Sequence, residues 1–451
     1  MKEREEMMKK DSEIENQSIF NSRWGFILAS VGSAVGMANI WGFPYRLGSY
    51  GGGAFLLAYI FFTILFSRVG LIAEFAIGRR AKTGTVGAYE NAWSSGSQSS
   101  LGKIIGWLPL IGSMFIAIGY AIITSYVLKS FTQSITGTLM TVNPEQWFNS
   151  FALENYSVVP YHFIVVVGTL LTLLFGAKSI EKTNKVMMPL FFILILILAV
   201  RVAFLPGALA GYKFMFTIQW EQLLDPMVWV WAMGQAFFSL SITGSGMIVY
   251  GAYLSDKEDI PNSAFYIGLF DIIAALSSAL VIIPASFAYG IDVESGPGLL
   301  FVTLPKILQD IPFGQVFSIF LFTAVLFGAI SSLQNMFEVV GESLMRKIPK
   351  LTRLMMLFIL SVVTFGIGVN MQAITSWGPW MDFVSIYIIP IGATLGAISW
   401  FWIMQKKDLI DAVNLGASRK VGDSWYQVGR YLYLPLAVIL TLVALVMKIS
   451  F

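Results

Sequence analysis

Residues 30 to 44, Ser-Val-Gly-Ser-Ala-Val-Gly-Met-Ala-Asn-Ile-Trp-Gly-Phe-Pro, place a run of small residues and one amide, Asn39, inside an apolar stretch long enough to cross a bilayer. A helix broken in hydrocarbon leaves backbone carbonyls and amides without partners. Such groups persist at that depth only where protein, water or a ligand satisfies them. A second interruption follows at residues 238 to 246, Phe-Ser-Leu-Ser-Ile-Thr-Gly-Ser-Gly, where hydroxyls and glycines replace the aliphatic run. Asp271 stands in a third apolar stretch, and a carboxylate there is costly enough to mark a functional site by default. A structural pair with a neighbouring Arg is the weaker alternative, since no Arg or Lys lies at similar depth in the second half. Close helix packing would account for Gly32 and Gly36 taken alone, as in small-xxx-small contacts. Two interruptions at matching places, each beside hydroxyls or an amide, favour instead a polar ligand held at mid-membrane.

The elements that must position these residues follow from composition. Of 451 residues, 56% are hydrophobic and only 12% charged, and the mean hydropathy is +0.73. A soluble domain could not keep that much apolar surface from water, so an all-α polytopic membrane protein is expected. At roughly 20 apolar residues per span, eleven transmembrane helices are expected near 18–48, 53–78, 102–136, 159–177, 180–204, 226–254, 261–290, 313–345, 351–371, 379–405 and 424–450. The interruptions then fall in spans one and six, the first helix of each five-span half. An odd repeat length inverts the second half relative to the first. The expected organisation is a cytoplasmic tail (1–17), a first repeat (18–204), a second repeat (205–405, with extracellular loop helices about 291–312), and a cytoplasmic loop with the last span (406–451).

Charge placement gives the orientation. With the N-terminus cytoplasmic, Arg79, Arg80, Lys82, Lys178, Lys182, Lys185, Arg346, Lys347, Lys350, Arg353, Lys406, Lys407, Arg419 and Lys420 all fall inside. The outer loops keep little more than Arg46, Lys213 and Lys306, and the odd span count puts the C-terminus outside. The tail has no apolar h-region and does not read as a signal peptide. There is no cysteine, and no nucleophile arrangement, metal cluster or cofactor motif points to an enzyme. The basic residues mark topology, and no nucleic-acid partner is expected.

Several motifs, in order along the chain, resemble the neurotransmitter:sodium symporter (solute carrier family 6-like) family in its bacterial form. They are Gly32 to Pro44 with Gly51-Gly52-Gly53-Ala54-Phe55, Glu74 before Gly78-Arg79, Gly234 to Ser241, Asp259-Ile260, Gly298 to Pro305, and Ser331-Ser332. The resemblance implies the leucine-transporter-like fold, a 5+5 inverted repeat with broken helices 1 and 6. It also implies a Na⁺-coupled symporter importing a hydrophobic L-amino acid by alternating access in the bacterial inner (plasma) membrane. One chain suffices for transport in this picture, and the oligomeric state is left open.

Two Na⁺ sites come with the resemblance. The first would use Ala34, Asn39, Ser239 and Asp271 with the substrate carboxylate; the second Gly32, Val35, Phe327, Ser331 and Ser332. Ile330 stands where relatives often carry Thr or Asp, so one side-chain oxygen of the second set is missing, a gap that either serine or a water could fill. Chloride-requiring members carry a neutral residue where this chain has Asp271, so no chloride requirement is expected. The implied substrate site comprises Ala34, Gly36, Met37, Ile116, Tyr120, Ile123, Phe238, Ser239, Ser241, Thr243, Gly244 and Asn335. Gly36 replaces the Asp with which monoamine carriers hold an amine, which favours amino acids. Tyr120 matches the family tyrosine whose hydroxyl meets the carboxylate; a tyrosine deep in a span needs a partner for its hydroxyl, and a neighbouring helix carbonyl is the alternative partner. The small residues 243–246 would leave space for Trp, Phe, Tyr or Leu.

For gating, Gly42 stands where relatives carry an Arg, and Arg46, four residues on, is expected either to pair with Asp382 instead or to stand as a solvated outer charge. Glu74 would brace the sixth-span break, and Pro189, ten residues after Ser179, would permit local unwinding of the fifth span. Two rival readings share this architecture: a proton-coupled permease in which Asp271 titrates, and an amino-acid sensor that does not transport.

Overall fold

The computed structural model describes residues 19–94, 98–290, 298–348 and 350–450, and among these it is all-helical, without strands. The expected tail 1–17 and the first part of the 291–312 loop lie outside the described residues. Helix α1 (Arg23–Ala34) starts at Ser22, whose hydroxyl accepts the Gly25 N–H, and α2 (Ala38–Ser49) resumes the first span after a 58° bend. Then come α3 (Gly53–Ala81), α4 (Ser99–Ile135), α5 (Val159–Leu171) and α6 (Ala177–Ala203). The sixth span is split into α7 (Pro226–Ser239) and α8 (Gly246–Ala252). It is followed by α9 (Ile260–Tyr289), α10 (Gly314–Lys347), α11 (Arg353–Met371), α12 (Ile374–Ile403) and α13 (Asp423–Met447).

Eight of these helices are long and apolar enough to cross a membrane, and α1 with α2 makes a ninth. The other two expected spans are shorter for physical reasons. Helix α5 ends at Leu171, six residues before the expected 177, because the chain turns through 172–176 and Gly176 adopts φ +58°. The sixth span is cut where Ser241 and Gly244 take positive φ, +54° and +75°. For serine that conformation costs on the order of 1 kcal/mol, and its hydroxyl is anchored by a 3.0 Å bond to the Ser33 carbonyl.

Packing fixes where the breaks lie. Helices α4 and α10 run against each other, and α6 lies against both α1 and α10. The half-helix α8 rests on α3 backbone to backbone: a Cβ at Gly78 would strike the Ile248 carbonyl, and one at Gly251 the Phe75 carbonyl. Of the expected outer loop helices, Leu304–Asp310 is present, and a further short helix, Ala208–Phe216, packs against α9.

Candidate functional site

The two breaks face each other. Ser241 reaches the Ser33 carbonyl, and a cavity opens between them, lined by Ser33, Ala34, Gly36, Ala38, Ile116, Tyr120, Phe238, Ser241, Thr243, Ser332 and Met336. Tyr120, on α4, accepts the Met37 N–H at 2.7 Å, which leaves its own proton to donate. Gly36 is required there, because a Cβ would collide with the Tyr120 hydroxyl and lie 2.6 Å from Ser332 Oγ. Ile116, Phe238 and Met336 supply an apolar side; Ser33, Ser241, Thr243 and Ser332 supply hydroxyls.

Next to this cavity, Asp271 on α9 is fully buried. Its Oδ1 accepts from Asn39 Nδ2 at 2.7 Å, and its Oδ2 from Tyr59 at 2.7 Å and Ser239 at 2.9 Å. Among the described residues no Arg or Lys forms an ion pair with it. The carboxylate only accepts, so the Asn39 amide must turn its nitrogen toward it, and that nitrogen also bonds the Asp271 carbonyl at 3.2 Å. Asn39 Oδ1 is then left buried with no donor. A buried carboxylate without a basic partner, beside an acceptor without a donor, is a site that a cation completes.

A second oxygen cluster lies at the C-terminal end of α1. The Gly32 carbonyl accepts from Ser331 at 2.8 Å and from Ser332 at 3.2 Å, and Ser332 also reaches the Ser33 carbonyl. The Val35 carbonyl comes close to Gly328, 3.1 Å from a Cβ built there. The Ser331 hydroxyl turns to the Gly328 carbonyl, one residue past Phe327. No group of three His, Cys, Asp or Glu occurs among the described residues. The donors here are carbonyls, hydroxyls, an amide and one carboxylate, which suit a hard cation.

Several expected positions are placed otherwise. Arg46 does not pair with Asp382: its guanidinium folds back over Gly42, bonds Gln235 Oε1 and lies 5.5 Å from the Trp231 ring, while Asp382 is exposed. The missing side chain at 42 is the reason, since it frees the space that Arg46 occupies. Gln235 in turn donates to the Ala38 carbonyl at 2.9 Å, tying α7 to the start of α2.

Met37, Ile123, Ser239, Gly244 and Asn335 are not on the cavity wall. Met37 contributes its N–H to Tyr120, and Ser239 is turned to Asp271. Ile123 is buried seven residues along α4 from Ile116. The Asn335 amide bonds the Gly246 carbonyl at 3.2 Å. Gly244 donates its N–H to Glu74 Oε1 at 2.8 Å. The small residues expected to leave space are themselves packed against: the Gly392 carbonyl and Tyr89 hydroxyl close on Gly244, and Asn335 on Gly246. Helix α6 is unbroken through Pro189.

Tyr59, Gln235 and Met336 were not assigned from the sequence. For Tyr59 the signal was a tyrosine hydroxyl in a span with no evident partner, and for Met336 its place one turn after Ser332.

The model of the sodium:neurotransmitter symporter family matches residues 17–158 and 152–450. The chain is 31% identical over 447 residues to the uncharacterized sodium-dependent transporter YhdH of Bacillus subtilis, covering 95% of this chain and 98% of that protein. It is 33% identical over 433 residues to the uncharacterized sodium-dependent transporter MJ1319 of Methanocaldococcus jannaschii, covering 90% and 86%. The crystal structure of MhsT in complex with L-phenylalanine superposes with a TM-score of 0.85 at 30% identity, over 94% of this chain and 99% of that one.

Proposed function

The chain belongs to the sodium:neurotransmitter symporter family, and from that premise we propose that it is a Na⁺-coupled symporter importing hydrophobic L-amino acids by alternating access. The observation that carries this reading is the buried Asp271 carboxylate, without a basic partner, beside the donorless Asn39 Oδ1. In the proposed arrangement the first Na⁺ takes oxygens from Ala34, Asn39, Ser239 and Asp271 together with the substrate carboxylate. The second lies among Gly32, Val35, Phe327, Ser331 and Ser332. Placing substrate and ion in one shell makes their affinities rise and fall together.

The substrate carboxylate lies over Gly36, where the Tyr120 proton is available and the N-terminus of α2 points its partial positive charge. Phe238 closes above it. Its side chain packs on Ile116 and Met336, and an unbranched methionine adapts to differently shaped apolar groups. The L-phenylalanine bound in MhsT agrees with an aromatic or large aliphatic substrate.

At about 0.8 kcal/mol per buried CH₂, leucine should outcompete alanine by tens-fold. Competition of labelled leucine and tryptophan uptake by a panel of amino acids tests this, and equal competition by glycine, alanine and leucine would reject the apolar pocket.

Sodium drives the cycle only through different affinity for the outward-open and inward-open states. Opening inward is assigned to local unwinding of α6 between Ser179 and Pro189, with Glu74 holding the sixth-span break throughout. The outer closure contains Arg46 and Gln235 in place of the pairing with Asp382. The orientation is N-terminus inside and C-terminus outside, in the bacterial inner membrane, with repeats at 18–204 and 205–405.

Because Asp271 already supplies the negative charge beside the cation, transport is chloride-independent. Replacing chloride with gluconate at constant Na⁺ should leave the initial uptake rate within about a factor of two; a drop of tenfold or more would show that an anion is required.

A further inference from the structure

A buried polar network between α6 and α10 leaves one oxygen unexplained. Gln334, fully buried on α10, points its amide nitrogen at the hydroxyls of Thr172 (2.7 Å) and Thr183 (2.9 Å). Both hydroxyls already donate their single proton to backbone carbonyls, Thr172 to Thr169 and Thr183 to Ser179 or Ile180. They can therefore only accept from Gln334, which fixes that amide with its nitrogen toward the threonines and its oxygen away. Gln334 Oε1 accepts from Asn184 Nδ2 at 2.8 Å, and the second proton of that nitrogen goes to the Ile180 carbonyl at 2.9 Å. The orientation of Asn184 is thus forced as well. Its Oδ1 faces the opposite way, fully buried and with no donor.

That oxygen is aimed at the second oxygen cluster. A Cβ built on Gly32 would meet Asn184 Oδ1 first and Ser331 Cβ, at 2.8 Å, next. The hydroxyl protons nearby are already directed at carbonyls, those of Ser331 and Ser332 at Gly32, Gly328 or Ser33. No protein donor is left for Asn184 Oδ1, and a buried acceptor without one costs about 1–3 kcal/mol. A cation shared with the Gly32 carbonyl and the serine hydroxyls would remove that cost.

We propose that Asn184 Oδ1 is a further oxygen donor of the second sodium site, contributed by the fifth span. The proposal rests on the reading that Gly32, Val35, Phe327, Ser331 and Ser332 hold sodium. It supplies the side-chain oxygen that Ile330 does not. It also links the ion to the 179–189 segment of α6: with sodium bound, α1, α6 and α10 share one ligand, and its loss releases α6 from the other two.

The test uses the purified full-length protein without substrate. ²²Na⁺ binding and the Na⁺-induced shift in melting temperature are measured for wild type, Asn184→Ala, Asn184→Asp and Ser331→Ala. Expected are a rise of at least tenfold in half-saturating Na⁺ and a smaller Na⁺-induced shift for Asn184→Ala. Asn184→Asp keeps an oxygen toward the site and adds a negative charge beside the ion, while giving up the amide protons to Gln334 and Ile180; it should bind Na⁺ at least as tightly as wild type at pH 8, and its melting temperature without Na⁺ reads that loss separately. Ser331→Ala should weaken binding too.

Weak binding by Ser331→Ala with wild-type curves for both Asn184 variants would overturn the inference and leave the site standing. A melting temperature lowered equally with and without Na⁺ in Asn184→Ala, at wild-type affinity, would overturn it as well and assign the oxygen to a bound water. Wild-type Na⁺ binding by Ser331→Ala would overturn the site itself.

Discussion

Asp271→Asn will lose Na⁺-dependent uptake by at least about a hundredfold while the protein still folds. The substitution separates charge from shape. In the variant the amide oxygen can keep the bond from Asn39, and the amide nitrogen can face the Tyr59 and Ser239 hydroxyls, which accept as readily as they donate. The packing survives and the negative charge does not. Interactions with a charged group are worth about 1.5–3 kcal/mol each. Losing those that hold the cation corresponds to at least about two decades in affinity, at about 1.4 kcal/mol per decade. Asp271→Ala is the poorer probe, because it leaves two buried hydroxyls and an amide without their acceptor. The measurement is uptake rate against Na⁺ concentration, with ²²Na⁺ binding beside it. A wild-type Na⁺ dependence in Asp271→Asn would remove the carboxylate from the coupling mechanism.

The second large effect is at Gly36. Gly36→Ala adds one carbon where the Tyr120 hydroxyl already lies, with Ser332 Oγ 2.6 Å away. Overpacking of this kind costs about 1–3 kcal/mol, and relief by moving Tyr120 would give up its bond from Met37. The expected result is a ten- to hundredfold rise in the substrate concentration for half-maximal uptake, with Na⁺ binding in the absence of substrate reduced far less. Combining it with Tyr120→Phe removes the clashing hydroxyl and the carboxylate donor together, so the double variant should gain thermal stability over Gly36→Ala without regaining substrate affinity. Recovery of affinity in the double variant would mean that Tyr120 does not bind the carboxylate.

The parts of this site that were legible in the sequence are those whose cost in hydrocarbon betrays them. Asn39, Asp271 and the two glycine-broken stretches violate an otherwise apolar pattern, and the structure brings them within one cavity wall and its adjoining carboxylate. Partner choice was less legible, because it depends on helices far apart in the chain. Tyr59 meets Asp271 across 212 residues, and no periodicity announces that meeting. Arg46 was expected to reach Asp382 on the strength of helical spacing, but spacing gives only the face of a helix. Gln235, 189 residues away, offered a buried acceptor. The glycines at 244 and 246 were expected to leave free volume, and the structure uses them for close approach by Gly392 and Asn335. A small residue signals a short distance, and sequence alone does not say whether substrate or backbone fills it.

The central claim is that a Na⁺ gradient performs work on an apolar amino acid through this site. Its most direct test is labelled leucine or tryptophan uptake into proteoliposomes of the wild-type protein, with an inward Na⁺ gradient compared with an equal K⁺ gradient at the same pH inside and out. The account predicts accumulation above the equilibrium concentration with Na⁺ alone, and its collapse when the gradient is dissipated. Equal uptake in Na⁺ and K⁺, accumulation driven only by an imposed pH difference, or binding without accumulation would contradict it.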